Sequence, residues 1–248
     1  MRISKNNKAL SALIIVLLVV GIVVIAIGAV FVFLWVSPGN LKTENMDFSG
    51  FSYVEAGSAF QVNITQSDNF SVKISAGENI FDRIQITLEG QTLKIHINPG
   101  IFFGTLNAKA EITMPTLNSL DIAGATHGTV DGFNNSDQFV AKVSGASFLE
   151  LTNFMVADVD FELSGFSHLT GSGTGNNLTS TVSGGSNLDL TNFQVDNANV
   201  DLSGGSHATV KLDGRLDVQA SGASSLEYIG EPTLGTINTS GASSINKR

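Results

Sequence analysis

The 248-residue chain contains no cysteine. This absence excludes disulfide bonds, thiolate metal sites and lipid attachment to an N-terminal cysteine. The stability of the fold must therefore come from the burial of apolar side chains and from hydrogen bonds.

Basic residues are scarce, with 13 Lys and Arg against 22 Asp and Glu. Three of the basic residues, Arg2, Lys5 and Lys8, precede the first apolar stretch, whereas every acidic residue follows it. The part of the chain after this stretch therefore has a formal charge of −12. Nucleic acid is therefore not predicted as a partner, because its phosphates require a basic surface. An acidic surface is typical of a solvated outer face and also suits cations or basic partners.

Several motifs of catalytic and ligand-binding families are missing. The chain has no G-x-x-x-x-G-K-[ST] phosphate loop, no G-x-S-x-G nucleophile turn and no G-G-x-G-x-D calcium repeat. Residues 184–189 match the calcium repeat only in part, and the glycine-rich residues 171–175 are typical of a loose turn. The sequence therefore predicts no cofactor, no metal and no enzymatic activity.

Residues 9–36 form an uncharged, apolar stretch that ends before Ser37-Pro38-Gly39. Its length exceeds the roughly 20 residues that span a bilayer. With the basic residues 1–8 in the cytoplasm, the positive-inside rule predicts a single-pass cell-membrane protein whose bulk is extracytoplasmic. A cleaved signal peptide is the alternative. Its apolar core is typically about 7–15 residues and is followed by a small-x-small cleavage site, whereas residues 9–36 are longer and no persuasive site of that kind follows them. Residues 37–47 are predicted to be a polar tether.

Seven glycines recur in the second half of the chain, with steps of 21, 20, 19, 20, 18 and 19 residues. They are Gly124, Gly145, Gly165, Gly184, Gly204, Gly222 and Gly241. The positions two before and four and six after each glycine are mostly apolar, and the positions between them are mostly polar. This alternation is typical of strands, and glycine permits a positive φ at the corner between them.

The position two residues after each glycine always carries a hydroxyl. These residues are Thr126, Ser147, Ser167, Ser186, Ser206, Ser224 and Ser243. A unit of about 20 residues cannot bury its apolar face alone and must stack on its neighbours. The L-x-x-L-x-L spacing of a leucine-rich repeat is absent, so residues 117–248 are predicted to form a seven-repeat parallel β-helix with a ladder of hydroxyls along its axis.

Residues 48–116 keep the strand alternation but lose the glycine period. The turn Glu89-Gly90-Gln91 between two alternating segments predicts a hairpin, so this section is expected to cap the N-terminal end of the stack. At the other end, the sequence stops a few residues after Gly241. Either the Lys247-Arg248 pair leaves a charged, frayed edge there, or the edge docks on another copy to form a homo-oligomer.

Two columns of the repeat contain residues with catalytic or metal-binding chemistry. His127, His168 and His207 share one column, but successive members are two coils, about 9.6 Å, apart. A shared zinc ion with bonds of about 2.1 Å could not join them, so exposed corner residues are expected. The column three before each glycine holds Asp121, Lys142, Glu162, Thr181, Asp201, Gln219 and Asn238. Its acids are also two coils apart, at the limit of an inverting glycosidase pair.

Two further features concern the surface. Ile101, Phe102 and Phe103 are apolar residues between turn formers; they either contact a partner or membrane, or plug the end of the solenoid. Five N-x-[ST] sequons are candidates for N-glycosylation, and chance occurrence in an Asn/Ser/Thr-rich chain is the alternative. The sequons begin at Asn63, Asn69, Asn134, Asn177 and Asn238.

Residues 51–66 read F-S-Y-V-E-A-G-S-A-F-Q-V-N-I-T-Q, residues 93–98 read L-K-I-H-I-N, and serial S-G-A-S and S-G-G-S corners follow. This succession resembles the auto-transporter adhesin head domain family, also called the GIN domain, over about residues 48–245. The resemblance implies a β-solenoid at the cell envelope. It carries no catalytic residues over to this chain.

The predicted function is a membrane-anchored, extracytoplasmic binding or adhesion module without catalytic activity. Its ligands would be glycans or surface proteins, bound by stacked faces rich in Ser, Thr, Asn and Asp. An envelope sensor or assembly subunit that recruits a membrane partner is the main alternative, and a carbohydrate-active enzyme is a remote one.

Overall fold

A computed structural model describes residues 40–100, 107–134 and 138–248 of the chain. The basic N-terminus 1–8, the apolar stretch 9–36 and the apolar residues 101–103 lie outside these ranges. Within the described ranges, no helix is both long and apolar enough to cross a bilayer.

The described part is almost entirely β-structure, with one short helix, α1 (Glu78–Phe81). The strands are β1 (Leu41–Met46), β2 (Tyr53–Ala56), β3 (Gln61–Gln66), β4 (Ser71–Gly77), β5 (Ile84–Glu89), β6 (Thr92–Ile97), β7 (Ala108–Met114), β8 (Ser119–Ile122), β9 (His127–Asp131), β10 (Phe139–Val143), β11 (Phe148–Met155), β12 (Asp158–Leu163), β13 (His168–Thr174), β14 (Asn177–Val182), β15 (Asn187–Val195), β16 (Asn197–Leu202), β17 (His207–Leu212), β18 (Arg215–Ala220), β19 (Ser225–Ile229), β20 (Thr233–Thr239) and β21 (Ser244–Lys247).

The strands form two long sheets, and each coil contributes one strand to each sheet. The first sheet has the order β1-β4-β7-β3-β9-β11-β13-β15-β17-β19-β21, and the second has the order β20-β18-β16-β14-β12-β10-β8-β2-β6-β5. From β8 onward, strands two apart in the sequence pair in parallel. The predicted all-β fold with a parallel β-solenoid is thus confirmed.

The parallel register keeps the columns of the repeat in line. In the second sheet, for example, Glu162 pairs with Lys142 on one side and with Thr181 on the other. In β12 and β14, as in most strands, alternate residues are buried, so one face of each sheet meets the core and the other faces solvent. Phenylalanines fill the middle of the core, with neighbouring ring centroids 4.7–6.5 Å apart. These rings belong to Phe133, Phe139, Phe154, Phe161 and Phe193, all fully buried.

The seven corner glycines take a positive φ, from 66° at Gly124 to 80° at Gly165. They also stack closely along the axis. In most coils the residue after the corner donates its backbone N–H to the carbonyl of the preceding corner glycine, as Gly205 does to Gly184 at 2.7 Å. The corner is therefore held by a hydrogen-bond ladder of its own.

The N-terminal section departs from sequence order. The strands β5 and β6 form the predicted antiparallel hairpin around Gly90. However, β2 lies between β6 and β8, and β3 lies between β7 and β9. The coil formed by residues 53–66 therefore lies between β6 and β7 on one side and the first glycine-cornered coil on the other, although all of these follow it in the sequence.

The prediction of a polar tether over residues 37–47 is wrong for residues 41–46. Residues 41–46 form β1, which pairs antiparallel with β4, and β4 pairs antiparallel with β7. The helix α1 lies beside them with Ile80 and Phe81 buried, and Lys42 Nζ lies 4.3 Å from the centroid of the Phe81 ring. These antiparallel strands and the helix close the N-terminal end of the stack.

At the other end, β20 and β21 are the outermost strands of the two sheets. In this last coil, Leu234 and Ile237 are 51% and 37% exposed to solvent. The core is therefore less covered at this end than at the capped one.

Candidate binding face

The outward face of the second sheet carries a continuous row of polar side chains, which we call the polar column. In spatial order along the axis it comprises Lys94, Glu55, Asp121, Lys142, Glu162, Thr181, Asp201, Gln219 and Asn238. Each member lies directly opposite the next on a neighbouring strand, at a spacing of about 4.8 Å. The seven residues predicted to share one column do so, and Glu55 and Lys94 extend it towards the cap.

The first part of the polar column, from Lys94 to Glu162, is charged, and ion pairs form between its members. Lys142 Nζ lies 2.9 Å from Glu162 Oε2, and Lys94 Nζ lies 3.5 Å from Glu55 Oε2. The pKa of Lys142 is raised by its hydrogen bond to Glu162. The pKa of Asp121 is raised by burial and then by the neighbouring Glu55 carboxylate, against the opposing charge of Lys142.

The second part of the polar column, from Thr181 to Asn238, has one carboxylate and no cation. We call it the neutral end. The side chains of Thr181, Asp201, Gln219 and Asn238 form no hydrogen bond to another residue within the described ranges. Asp201 Oδ1 is buried and has no hydrogen-bond partner there.

A second row of hydroxyls, the serine column, runs beside the polar column one residue before six of the seven corner glycines. It consists of Ser144, Ser164, Ser183, Ser203, Ser221 and Ser240. Two of these serines are tied to the preceding coil, because Ser183 Oγ donates to the Leu163 carbonyl at 3.2 Å and Ser221 Oγ to that of Leu202 at 3.4 Å. Along each strand the two columns are two residues, or about 7 Å, apart.

The space between the two columns forms two depressions that share Thr181. One, of about 330 Å³, includes Asp121, Lys142 and Glu162 with neighbouring serines. The other, of about 320 Å³, includes Asp201, Gln219 and Asn238 with theirs. A shallow, polar surface thus follows the solenoid axis, with ion pairs at one end and a single carboxylate among uncharged side chains at the other.

The histidine column lies on the outward face of the first sheet and differs from the expectation. His127 is exposed as expected, but His168 and His207 are half-buried, so that expectation is wrong for them. The rings of His127 and Phe148 stack at 4.8 Å, and those of Phe148 and His168 at 5.1 Å. The ring of Phe148 covers one face of His168 and so contributes to its burial.

Two further pairs of residues in this column are joined by hydrogen bonds. Asn187 Nδ2 donates to His168 Nδ1 at 2.8 Å, and His207 Nδ1 lies 2.7 Å from Ser225 Oγ. Within the described ranges, no three His, Asp or Glu side chains come together in a group that could hold a metal ion. The column acts as a structural ladder.

Asp121 and Glu162 of the polar column do not form a free catalytic pair. Lys142 lies between Asp121 and Glu162 and is bonded to Glu162. A glycosidase needs one carboxyl to protonate a leaving group and another to act on the sugar or water. Glu162 is engaged in an ion pair and cannot take either role without losing it.

The predicted hydroxyl ladder lies inside the corners, and all its members are buried except Ser243 at the last corner. Direct hydroxyl contact occurs between Ser167 Oγ and Ser186 Oγ at 3.2 Å. Most of the hydroxyls instead donate to backbone carbonyls, as Ser206 Oγ does to Val182 at 3.1 Å in the preceding coil. The ladder therefore joins side chains to backbone more than to one another.

The five sequons lie on different parts of the surface. Asn69, Asn134, Asn177 and Asn238 are exposed. Asn63 is half-buried and accepts a hydrogen bond from Thr129 Oγ1 at 2.9 Å. Asn238 belongs to the polar column, so a glycan attached there would cover the neutral end.

The sequence predicted binding by stacked faces rich in Ser, Thr, Asn and Asp, but it did not single out the serine column or the neutral end. The signal was available, because six of the seven corner glycines follow a serine directly. Phe166, which is 80% exposed after its corner glycine, was missed as well. Its ring lies against Gly185, where a Cβ would be 2.8 Å from the ring.

Comparison with known proteins gives a family and a fold. Residues 50–232 match the model of a family described as "Putative auto-transporter adhesin, head GIN domain". A search of curated protein sequences gave no significant match.

Solved structures with the same fold include a putative adhesin from Bacteroides fragilis, with 20% identity and a TM-score of 0.81 over 85% of this chain and 99% of that one. A putative lipid binding protein from Parabacteroides distasonis has 18% identity and a TM-score of 0.66 over 85% of this chain and 97% of that one. A putative adhesin from the same species has 15% identity and a TM-score of 0.68 over 84% and 97%. At these identities the likeness shows the fold alone.

Proposed function

The chain belongs to the family of putative auto-transporter adhesin head, or GIN, domains, and on that premise we propose that it is a non-catalytic binding or adhesion module held outside the cell membrane. The anchor would be the apolar stretch 9–36, with residues 1–8 in the cytoplasm. The solenoid would then be displayed at the cell surface.

The observation that carries this proposal is the polar face between the polar and serine columns. It offers hydroxyls, amides and carboxylates at regular intervals along the axis. A surface of this kind binds an extended polar ligand through many weak contacts, whose strength grows with the number of repeats engaged. We therefore propose a glycan as the ligand, with a surface protein as the competing outcome.

The absence of catalysis is part of the proposal. Within the described ranges, Glu162 is paired with Lys142, and the next acid of the column, Asp201, lies two strands beyond it. Glu162 and Asp201 therefore do not form an acid pair held together for bond cleavage. A binding role uses the same side chains without requiring a proton donor.

One structural relative is described as a putative lipid binding protein. A lipid tail needs an apolar cavity, but the core between the two sheets is filled by fully buried Phe, Leu and Val side chains. The depressions on the outer face are lined by polar side chains. A hydroxyl-rich ligand therefore suits this chain better than a lipid tail.

The test uses the full chain, purified in a mild detergent, on a glycan array and in a pull-down from solubilised host membranes. Selective binding of glycans supports the proposal. A silent array together with one co-purifying membrane protein would contradict it.

The alternative, an envelope sensor or assembly subunit, is favoured by the exposed apolar side chains of Leu234 and Ile237 on the last coil. Such an end suits a membrane partner or a second copy of the chain. If Ile101, Phe102 and Phe103 form the contact instead, the double change Phe102→Ser and Phe103→Ser should abolish co-purification of the partner. Light scattering of the purified chain separates a hetero-complex from a homo-oligomer.

A further inference from the structure

We infer that the neutral end of the polar column is the ligand-binding part of this face, and that its ligand is an uncharged, hydroxyl-rich chain of the neutral-glycan class. The inference rests on the proposed binding function and deepens it. It assigns the site to Asp201, Gln219 and Asn238 with the serines beside them.

The two ends of the polar column differ in what a ligand would have to displace. At the charged end, Lys142 and Glu162 bond to each other, and Lys94 bonds to Glu89 and Glu55. A ligand that bound there would first have to break these ion pairs. At the neutral end, the side chains of Asp201, Gln219 and Asn238 have no partner within the described ranges to displace.

Oδ1 of the Asp201 side chain is buried and has no hydrogen-bond partner within the described ranges, and an unsatisfied buried polar atom is unfavourable. Asp201 borders the depression of about 320 Å³. A ligand hydroxyl lying in that depression would be placed to donate to the Asp201 side chain.

The lining of this depression matches the chemistry of an uncharged sugar. Besides Asp201, its polar side chains are hydroxyls and amides, which both donate and accept hydrogen bonds as sugar hydroxyls do. Neither Lys nor Arg lines the depression. An acidic sugar would therefore meet a carboxylate without a cation, whereas an uncharged one meets matching partners.

The shape of the surface favours an extended ligand. Gln219 lies between the depression of about 320 Å³ and a neighbouring one of about 440 Å³ bordered by Asn199, Asp217 and Thr236. From Thr181 to Asn238 the column extends over three strand spacings, or about 14 Å. An extended chain that lies along the axis would contact every strand, and Gln219 would contact it from the middle.

The experiment compares variants of the full chain in detergent against a panel of neutral and acidic glycans. Asp201→Ala and Gln219→Ala are expected to weaken binding of the neutral glycans by at least about tenfold each, because each removes a ligand contact from the binding face. The matched controls are Asp160→Ala, on the outward face of β12, and Gln61→Ala, on the exposed face of β3 in the first sheet. Both controls should bind like the unchanged chain, and an unchanged thermal midpoint shows that each variant is folded.

The outcomes separate this inference from the proposed function. If glycans bind but Asp201→Ala and Gln219→Ala leave the affinity unchanged, while Lys142→Met with Glu162→Gln abolishes it, the inference is overturned and the binding function stands. A preference for acidic glycans would also overturn the inference alone. If the panel gives no binding at all, both fail.

Discussion

Gly165 faces the carbonyl oxygen of Gly145, one coil earlier, so closely that a Cβ on Gly165 would lie 2.5 Å from that oxygen. The same carbonyl accepts a hydrogen bond from the backbone N–H of Phe166 at 2.8 Å. Glycine at this corner is therefore required for two reasons, a positive φ and the lack of space for a side chain.

Gly165→Ala is expected to destabilise the fold more than a positive φ alone would. The left-handed conformation costs a non-glycine residue about 1–2 kcal/mol, and overpacking adds about 1–3 kcal/mol. Gly132 is the matched control, because it has φ +80° and a Cβ added there would meet nothing within 4 Å. Chemical denaturation of both variants checks this, and equal losses of unfolding free energy would contradict the role of crowding.

Ser180→Ala is expected to stabilise the fold by about 1 kcal/mol, because the Ser180 hydroxyl is buried and has no hydrogen-bond partner in the described part of the chain. Ser167 gives the opposite case. Its buried hydroxyl donates to the Val143 carbonyl at 3.0 Å, so Ser167→Ala should cost about 1–2 kcal/mol. Thermal or chemical unfolding measures both, and a loss of stability in Ser180→Ala would show that its hydroxyl is satisfied.

His168 should make the stability of the fold depend on pH below neutrality. Burial lowers the pKa of His168 from its ordinary value of 6.5, and the Asp189 carboxylate opposes this in part. The unfolded chain therefore binds a proton more readily, and stability falls as the pH drops below about 6.5 towards the folded-state pKa. Protonation of Nδ1 would also replace the hydrogen bond from Asn187 by a contact between two donors.

His168→Asn should consequently lose less stability than the unchanged chain between pH 7.5 and pH 5, measured by denaturation at each pH. His127→Asn, at the exposed end of the same column, is the control. It tests whether replacing any histidine of the column reduces the loss of stability between pH 7.5 and pH 5. Identical pH profiles for His168→Asn and the unchanged chain would refute the role of His168.

The lack of cysteine allows one site at a time to be blocked chemically. Asn238→Cys labelled with a bulky maleimide should reduce glycan binding at least about tenfold, because the label would cover the neutral end. Gln61→Cys, labelled in the same way, places the reagent on the exposed face of the other sheet and should leave binding intact. Equal binding by both labelled chains would place the ligand elsewhere.

The sequence predicted the repeating part of the fold because its period is local. Each corner glycine and the hydroxyl two residues later repeat at nearly constant steps, so stacking in register follows from one unit. The hairpin at Gly90 was likewise predicted from neighbouring residues. The order of the first coils was not, because the position of β2 between β6 and β8 depends on contacts between distant segments.

The outward columns were predicted as sets of residues but not as a site. Asp201 and Gln219 belong to one column in the sequence, yet the lack of side-chain hydrogen bonds from them to other described residues appears only once the neighbouring strands are in place. The burial of His168 depends in the same way on the ring of Phe148 in the preceding coil. The residues 41–46 were assigned to a tether because their pairing partner, β4, lies some 30 residues later.

The most direct test of the account is a nuclear magnetic resonance titration that follows the side-chain amide groups of Gln219 and Asn238 while a neutral glycan identified on the array is added to the full chain. Glycan binding at the neutral end would shift these two amide signals with glycan concentration and leave that of Gln61 on the other sheet unchanged. Shifts confined to the first sheet, or to the charged end of the polar column, would contradict binding at the neutral end.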